Sequence, residues 1–425
     1  MEYKGIEYLK AKLHKKRTRV NVKQKYYDQK NRVRDLGIST PPDLRLWMGT
    51  LGWCGKAVDS LADRLVFNGF GNDAYRLNDI FENNNADILT EEAFHSALIG
   101  SCSFVYITTV NGEPKLKVID AAHATGIIDP TTYLLKEGYA VIDYDEHDNP
   151  LTEVYCIAGH TYVYERGKYV EDVPNNVPYP LLVPIIYRPD AVRPFGRSRI
   201  SRTCMSLVGG AIRTCKRSEI AAEFFSFPQK YAIGLSRENQ DELDSWAAAM
   251  SAMFTLTDDE NGNKPTVGQF QVGSMTPHTE QLKMFASLFC GETGLTLEDL
   301  GFYGVNPQSA ESIKSTHESL RLRARATQRE FGVGLKNVGY LASMLRDNTI
   351  YSRAALKDVK VKWEPLFEPD YAALASIGDA LYKINEVRPE YITDETIEQL
   401  TGLSPAQDDG VIIDPDSLDA ELLNG

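Results

Sequence analysis

The chain has 425 residues, 43% hydrophobic and 25% charged, with a formal net charge of −13 at pH 7. This is ordinary globular composition with room for more than one core, and it holds no run of about 18 uncharged apolar residues that would make a transmembrane helix. An acidic balance also argues against a dedicated nucleic-acid binder, which is usually basic as a whole.

The charge is unevenly placed. Residues 1–36 carry twelve Lys and Arg against four Asp and Glu, and residues 364–425 carry fifteen acids against two bases. A basic N-terminal helix and an acidic tail are the plain reading. The opening MEYKGIEYLKAKLHKKRTRV is too charged for the apolar core of a signal peptide. Up to about Gly37 the chain is polar and helical in character, with Tyr26-Tyr27-Asp28 near its end. After Pro41-Pro42, Val58, Leu61, Leu65 and Val66 recur at helical spacing and predict a buried helix face. Thr90 is placed to cap EEAFHSALIG, a short helix ended by Gly100. CSFVYITTV follows, β-branched and aromatic, and reads as a strand.

From about Lys115 to Tyr187 the pattern is β-rich. YAVIDYD, EVYCIAG, TYVYERG and KYVEDV are separated by Asp148-Asn149-Pro150, Gly159 and Gly167, as in an antiparallel meander. Long helices come next. Residues 198–227 read as one helix bent at Gly209-Gly210. A second starts at Ser236 with Leu243, Trp246, Met250 and Met253 on one face, followed by a polar excursion over 257–275. Thr276 before Pro277 predicts a capped helix start, with Leu282, Phe285 and Phe289 lining the helix. The loop GFYGVNPQS leads into a helix predicted from Ser309 to about Asp347, on the order of 60 Å long. Short helices remain after Pro365.

Motifs for chemistry are missing. The loop at Gly301 lacks the lysine and hydroxyl of a phosphate loop, and Gly332, Gly334 and Gly339 follow a helical run rather than a strand. No G-x-S-x-G elbow or H-E-x-x-H pair occurs. Asp143, Asp145, Glu146, His147 and Asp148 form an acidic cluster that reads as a solvated turn rather than a metal site. The six cysteines are scattered and read as reduced thiols. No cofactor is called for.

Arg321, Arg325 and Arg329 share one face of the long helix, opposite an apolar stripe of Ile313, Leu320, Ala324, Phe331, Leu335, Val338 and Leu345. Three readings stay open for this face: a solvated basic surface, a contact with acidic surfaces of neighbouring subunits, or direct phosphate contact. Glu318, three residues before Arg321, and Glu330 are placed to pair part of the charge.

The succession of YYD at 26–28, AVDSLADRLVFNGF at 57–70, EEAFHSALIGSCSFVYI at 91–107, FGRSRIS at 195–201, EIAAEFFSFPQKYAIG at 219–234, GETGLTLEDLGF and NPQSAESIKSTHESL resembles the tailed-bacteriophage portal proteins, in particular the Gp6-like siphophage group. The resemblance spans nearly the whole chain and rests on order and spacing. It implies an α+β portal-protein fold: a mixed α/β wing over 1–235, stem helices over 236–256 and 276–300, and a small clip over 257–275. A tunnel loop over 301–309, a long helix returning to the wing over 310–365, and a helical crown with the acidic tail over 366–425 complete it. Where that family often has proline after Thr-Gly-Leu, this chain has Thr296.

The resemblance also implies a function: a dodecameric ring at one capsid vertex, the channel for packaging and ejecting double-stranded DNA, and no enzyme. Tyr303, Val305, Asn306, Gln308 and Ser309 would form the channel loop. Asn261, Asn263, Lys264, Gln269 and Gln271 would form the clip that meets the head-tail adaptor, and Arg321, Arg325 and Arg329 the face between subunits. Implied partners are further copies of the chain, the terminase large subunit, the adaptor, and the major capsid and scaffold proteins, with no membrane. Assembly would occur in the host cytoplasm and the product would sit in the virion. Two rival readings are an intracellular hydrolase or nuclease with an acidic site outside known motifs, and a nucleic-acid module built on the basic N-terminal segment.

Overall fold

The computed structural model describes residues 3–34, 49–147, 149–226, 230–233, 266–271, 273–303, 315–366, 371–388, 391–392 and 397. Two compact units divide the chain, residues 1–362 and 363–425. Mixed helices and antiparallel sheets make the fold α+β.

Helix α1 (Ile6–Tyr27) buries only Leu9 and Leu13 and leaves most of its charge in water. Helix α2 (Trp53–Ala62) buries Val58 and Leu61 as its spacing predicts. Leu65 is buried too, but Val66 is 40% exposed, because the helix ends at Ala62 and the periodicity lapses with it. Strand β1 (Phe67–Gly71) and helix α3 (Leu77–Glu82) close an aromatic knot of Phe67, Phe70 and Phe81.

Helix α4 (Ala86–Gly100) starts four residues before the predicted cap. Asn85 makes the turn in a left-handed conformation that asparagine tolerates. Thr90 lies inside the helix and donates its hydroxyl to the Ala86 carbonyl, 2.9 Å away.

Strands β2 (Cys102–Val110) and β3 (Glu113–Asp120) form a hairpin across Asn111-Gly112, both with positive φ. Strand β9 (Leu182–Ile186) pairs with the other edge of β2, so the sheet order is β3-β2-β9. The meander is β4 (Ala124–Ile128), β5 (Leu135–Tyr144), β6 (Pro150–Ile157), β7 (His160–Glu165) and β8 (Lys168–Pro174), each paired with the next. One core joins the two sheets, with Phe104, Ile119, Leu182 and Ile186 from the first and Ala140, Val154 and Cys156 from the second.

Helix α5 (Arg202–Ser226) begins four residues later than predicted, because Ser198 and Arg199 are held by loop contacts to Ile99 and Leu98 carbonyls. It packs against α6 (Thr276–Thr293) in antiparallel fashion: Ser201 meets Glu292, Gly210 meets Phe285 and Thr214 meets Gln281. A Cβ on Gly210 would lie 2.8 Å from the Phe285 ring, so this glycine serves close helix packing. The helix start expected at Thr276 is displaced by one residue: Met275 occupies the cap position, and Ser274 Oγ accepts the Thr276 N–H.

Between these helices lies an unforeseen ribbon, β10 (Lys230–Ile233) paired antiparallel with β11 (Thr266–Gln269). The helix expected over 236–256 lies outside the described residues. Helix α7 (Glu318–Asp347) covers the β3-β2-β9 sheet, and β12 (Lys360–Trp363) pairs with β1. In the second unit, α8 (Tyr371–Val387) is the described helix.

Candidate functional site

Helix α7 and its approach hold most of the residues the sequence singled out. The approach begins at the end of α6. Thr296 and Asp299 cap each other: the Thr296 N–H and hydroxyl donate to Asp299 Oδ2 at 2.8 and 3.0 Å, and the Asp299 N–H donates back to Thr296 Oγ1 at 3.1 Å. A proline at Thr296 would lack the donated N–H, so the departure from the portal-family pattern has a local structural use here. A short 3-10 turn, Glu298–Leu300, then ends at Gly301 in a left-handed conformation. Tyr303 follows and is 83% exposed. Val305, Asn306, Gln308 and Ser309 lie outside the described residues, as does Ile313.

The described helix runs 30 residues, about 45 Å rather than 60 Å. Its apolar stripe holds as read: Leu320, Ala324, Phe331, Leu335 and Val338 are buried and Leu345 half-buried. Phe331 stacks on Phe94 of α4 with ring centroids 4.8 Å apart. Arg325 and Arg329 are exposed. Arg321 is held within its own helix by a two-pronged pair with Glu318, Nε to Oε2 and Nη2 to Oε1, both 2.7 Å. That contact lowers the Glu318 carboxyl from its ordinary value. Arg321 is therefore engaged before any neighbour arrives.

Three clefts follow one another along the side of α7 away from Phe331. The first, about 460 Å³, has Arg188, Arg199 and Arg323 in its walls with Glu292. Arg199 is buried and donates to the Ala57 and Thr293 carbonyls. The second, about 420 Å³, shares Ala326 with the first and is walled by Pro184, Ile186 and Val333, with Arg329 and Glu330. The third, about 230 Å³, shares Val333 and Asn337 with the second and is lined by Lys336, Arg353 and Lys357. Burial raises the Glu330 carboxyl against the opposing pull of the Arg188 N–H it accepts and of Arg323, Arg188 and Arg329. Burial and Arg353 lower Lys336. Asn337 is 2% exposed and its Nδ2 has no hydrogen-bond partner among the described residues.

Sequence reasoning missed Arg188, Arg199 and Asn337. The first two sit in the connection between β9 and α5 and the third on the far side of a helix, so only the tertiary fold brings them together.

Of the clip residues, Gln269 is exposed on β11 opposite Lys230, and Gln271 is exposed just beyond it. Asn261, Asn263 and Lys264 lie outside the described residues. The acidic turn is closed by Asp145, whose Oδ1 accepts the His147 and Asn149 N–H groups at 2.9 and 2.8 Å, while Asp143 pairs with Lys117. Asp148 lies outside the described residues. Among the described residues no group of three or more His, Cys, Asp or Glu is placed to hold a metal ion, and no helix is long and apolar enough to cross a membrane. The six cysteines are unpaired.

No family model matches the chain. The chain is 24% identical over 392 residues to the portal protein of Mycobacterium phage L5, covering 84% of this chain and 77% of that one. The portal protein of Mycobacterium phage D29 is 23% identical over 391 residues with the same coverage. Both of these relatives are phage portal proteins, and the chain is similar to them along most of its length. Among solved structures it is similar to a chain in the virion of a native gene transfer agent particle, at 13% identity and a TM-score of 0.47 over 91% of this chain and all of that one. It is also similar to chains in the necks of empty and native gene transfer agent particles, computed with C6 and C12 symmetry. Identities there are 14% and 15% and TM-scores 0.48 and 0.45, over 87% and 84% of this chain and 96% and 92% of those.

Proposed function

We propose that this chain is the portal subunit of a tailed phage, assembling as a dodecameric ring at one capsid vertex through which double-stranded DNA is packaged and ejected. The observation that carries this reading is the similarity to two portal proteins along 84% of the chain. The ring is a structural channel rather than an enzyme. It docks the terminase large subunit during packaging and a head-tail adaptor afterwards, within a particle built of capsid and scaffold proteins in the host cytoplasm.

The antiparallel α5–α6 pair, which flanks the ribbon β10–β11 and everything between its strands, is the natural stem. Residues 227–275, with Gln269 and Gln271, then make the clip, and this moves the first stem helix from 236–256 to 202–226. Residues 301–309 serve as the channel loop in this reading. Arg325 and Arg329, with Arg321 already paired to Glu318, form the surface offered to a neighbouring subunit. An acidic chain suits a channel that DNA slides through, since each neutralised phosphate adds salt-dependent affinity.

Imaging of the purified chain by negative stain, with native mass measurement, tests this. A ring with a central hole supports it; a monomer with metal-dependent hydrolytic activity overturns it. Deleting residues 303–308 leaves the ring intact and impairs packaging. A second reading, a nucleic-acid module on α1, draws on the exposure of Lys15, Lys16 and Arg19 along that helix. DNA binding by the isolated chain that falls steeply with salt would favour it.

A further inference from the structure

The three clefts along α7 form one groove from Ser319 to Tyr340, about 30 Å at 1.5 Å per residue. It is cationic at both ends, through Arg188 and Arg323 beside Glu292 at one and Lys336 and Arg353 at the other, and mainly apolar in the middle, where Arg329 and Glu330 stand in its wall. Leu322 and Val333 stand exposed along it. The buried Asn337 amide lines its floor, and no described group accepts from its Nδ2.

The complementary surface is on the same chain. Helix α4 exposes Asp87, Glu91 and Glu92 around Ile88, which is 60% exposed. None of these three carboxylates has a cationic partner among the described residues. Asp63, at the end of α2, adds a fourth carboxylate close to Asp59 and His95, held above its ordinary range by burial and by Asp59. Acids thus surround an apolar knob on α4, opposite in charge to Arg329 beside the apolar floor of the groove's middle.

The two surfaces face away from each other within one copy. Phe94 of α4 and Phe331 of α7 stack in the core between the helices. On α7, Arg329 and Val333 lie two residues either side of Phe331 and so on the opposite face. On α4, Ile88 and Glu92 lie on the solvent side. Two different complementary patches on one chain make a head-to-tail contact, which closes into a ring when the rotation allows.

We propose that the α7 groove receives the α4 face of a second copy of this chain, with Ile88 in the mainly apolar middle and Glu91 and Glu92 against Arg329 there. The mode is a helix laid into a groove, with opposite charges setting register and excluding wrong partners. This rests on the ring reading above and names which surface of the neighbour meets the arginines.

Two variants test it, I88D/E92R on the α4 face and R329E/V333D in the groove, each checked by circular dichroism for wild-type helicity and thermal midpoint. Should either double variant fold poorly, I88D alone and R329E alone replace them. Each is expected to sediment as a monomer at concentrations where the wild type forms rings. Mixed, they retain one intact groove and one intact α4 face, and should give a species of twice the 47.5 kDa chain mass and nothing larger. Rings formed by both variants, or an equimolar mixture that stays monomeric, overturn the groove assignment while leaving the ring reading in place. A wild-type chain that is itself monomeric overturns both.

Discussion

Gly334 of α7 lies so close to Ile185 of β9 that a Cβ on the glycine would sit 2.6 Å from Ile185 Cδ1 and 3.3 Å from Ile185 Cα. The helix that carries the arginines is seated on its sheet at this point. Gly334→Val is expected to destabilise the protein by about 1–3 kcal/mol through overpacking, despite the helix preference for a residue other than glycine. Adding Ile185→Val, which removes the crowding methyl, should recover part of the loss. Chemical denaturation of the single and double variants measures both.

The Glu330 carboxyl is raised above its ordinary value of 4.5 by burial. Below that value it is protonated whether the chain is folded or unfolded. As pH rises past it, the unfolded chain releases the proton first, so the folded state holds more protons and stability falls with pH until the folded group ionises as well. Glu330→Gln should flatten this decline above pH 4.5. Thermal midpoints of the two proteins across pH 4–8 give the comparison; parallel curves would show that Glu330 is not the group responsible.

The start of the N-terminal helix is tethered by the buried carboxylate of Glu137. Glu137 accepts the Lys4 and Gly5 N–H groups at 3.0 and 3.1 Å and the Tyr155 hydroxyl at 2.9 Å. Glu137→Ala strands these donors and should cost about 1–3 kcal/mol. Faster amide exchange is expected first at Leu9 and Leu13, which pack on Tyr139, Val141 and Tyr155. Uniform loosening of the whole chain would contradict a local tether.

Burial pushes the Cys102 and Cys156 thiols up to about 12 and raises Cys54 as well, while Cys215 is the half-exposed member of the set. The thiolate is the reactive form. In the native protein a thiol reagent should modify Cys215 first and leave Cys54, Cys102 and Cys156 unmodified until the chain unfolds. Peptide mass mapping of a labelling time course reads the order.

Thr296→Ala removes the hydroxyl half of the Thr296–Asp299 cap and is expected to cost about 0.5–2 kcal/mol. Thr296→Pro removes the N–H half as well and should lose more. Proteolysis at the exposed Tyr303 side of the turn, compared between the two variants, measures how firmly this cap holds the entry to the loop.

Much of the β-rich region was legible in local pattern. Strands β2 and β5–β8 alternate or run apolar between Gly, Asn and Asp turns, and each pairs with its sequence neighbour, so near-range signals suffice. The buried stripe of α7 was legible for the same reason, since a helix repeats its core face every three to four residues. Boundaries set by single conformations were not. Asn85 opens α4 by entering the left-handed region, and no periodicity marks that residue over Thr90.

What the sequence alone determined was therefore the kind of elements, their order, and a resemblance to portal proteins that two homologues support. What tertiary structure decided was adjacency across long separations. It brought Arg188 beside Glu330, Arg199 beside Thr293, and the strands at 230–233 and 266–269 into one ribbon. It also left Arg325 and Arg329 outward, whereas the Arg321–Glu318 pair, three residues apart on one helix, was legible from spacing. Backbone propensity and hydrophobic period act over a few residues, whereas a groove is made by walls distant in sequence whose closeness only the packed core enforces.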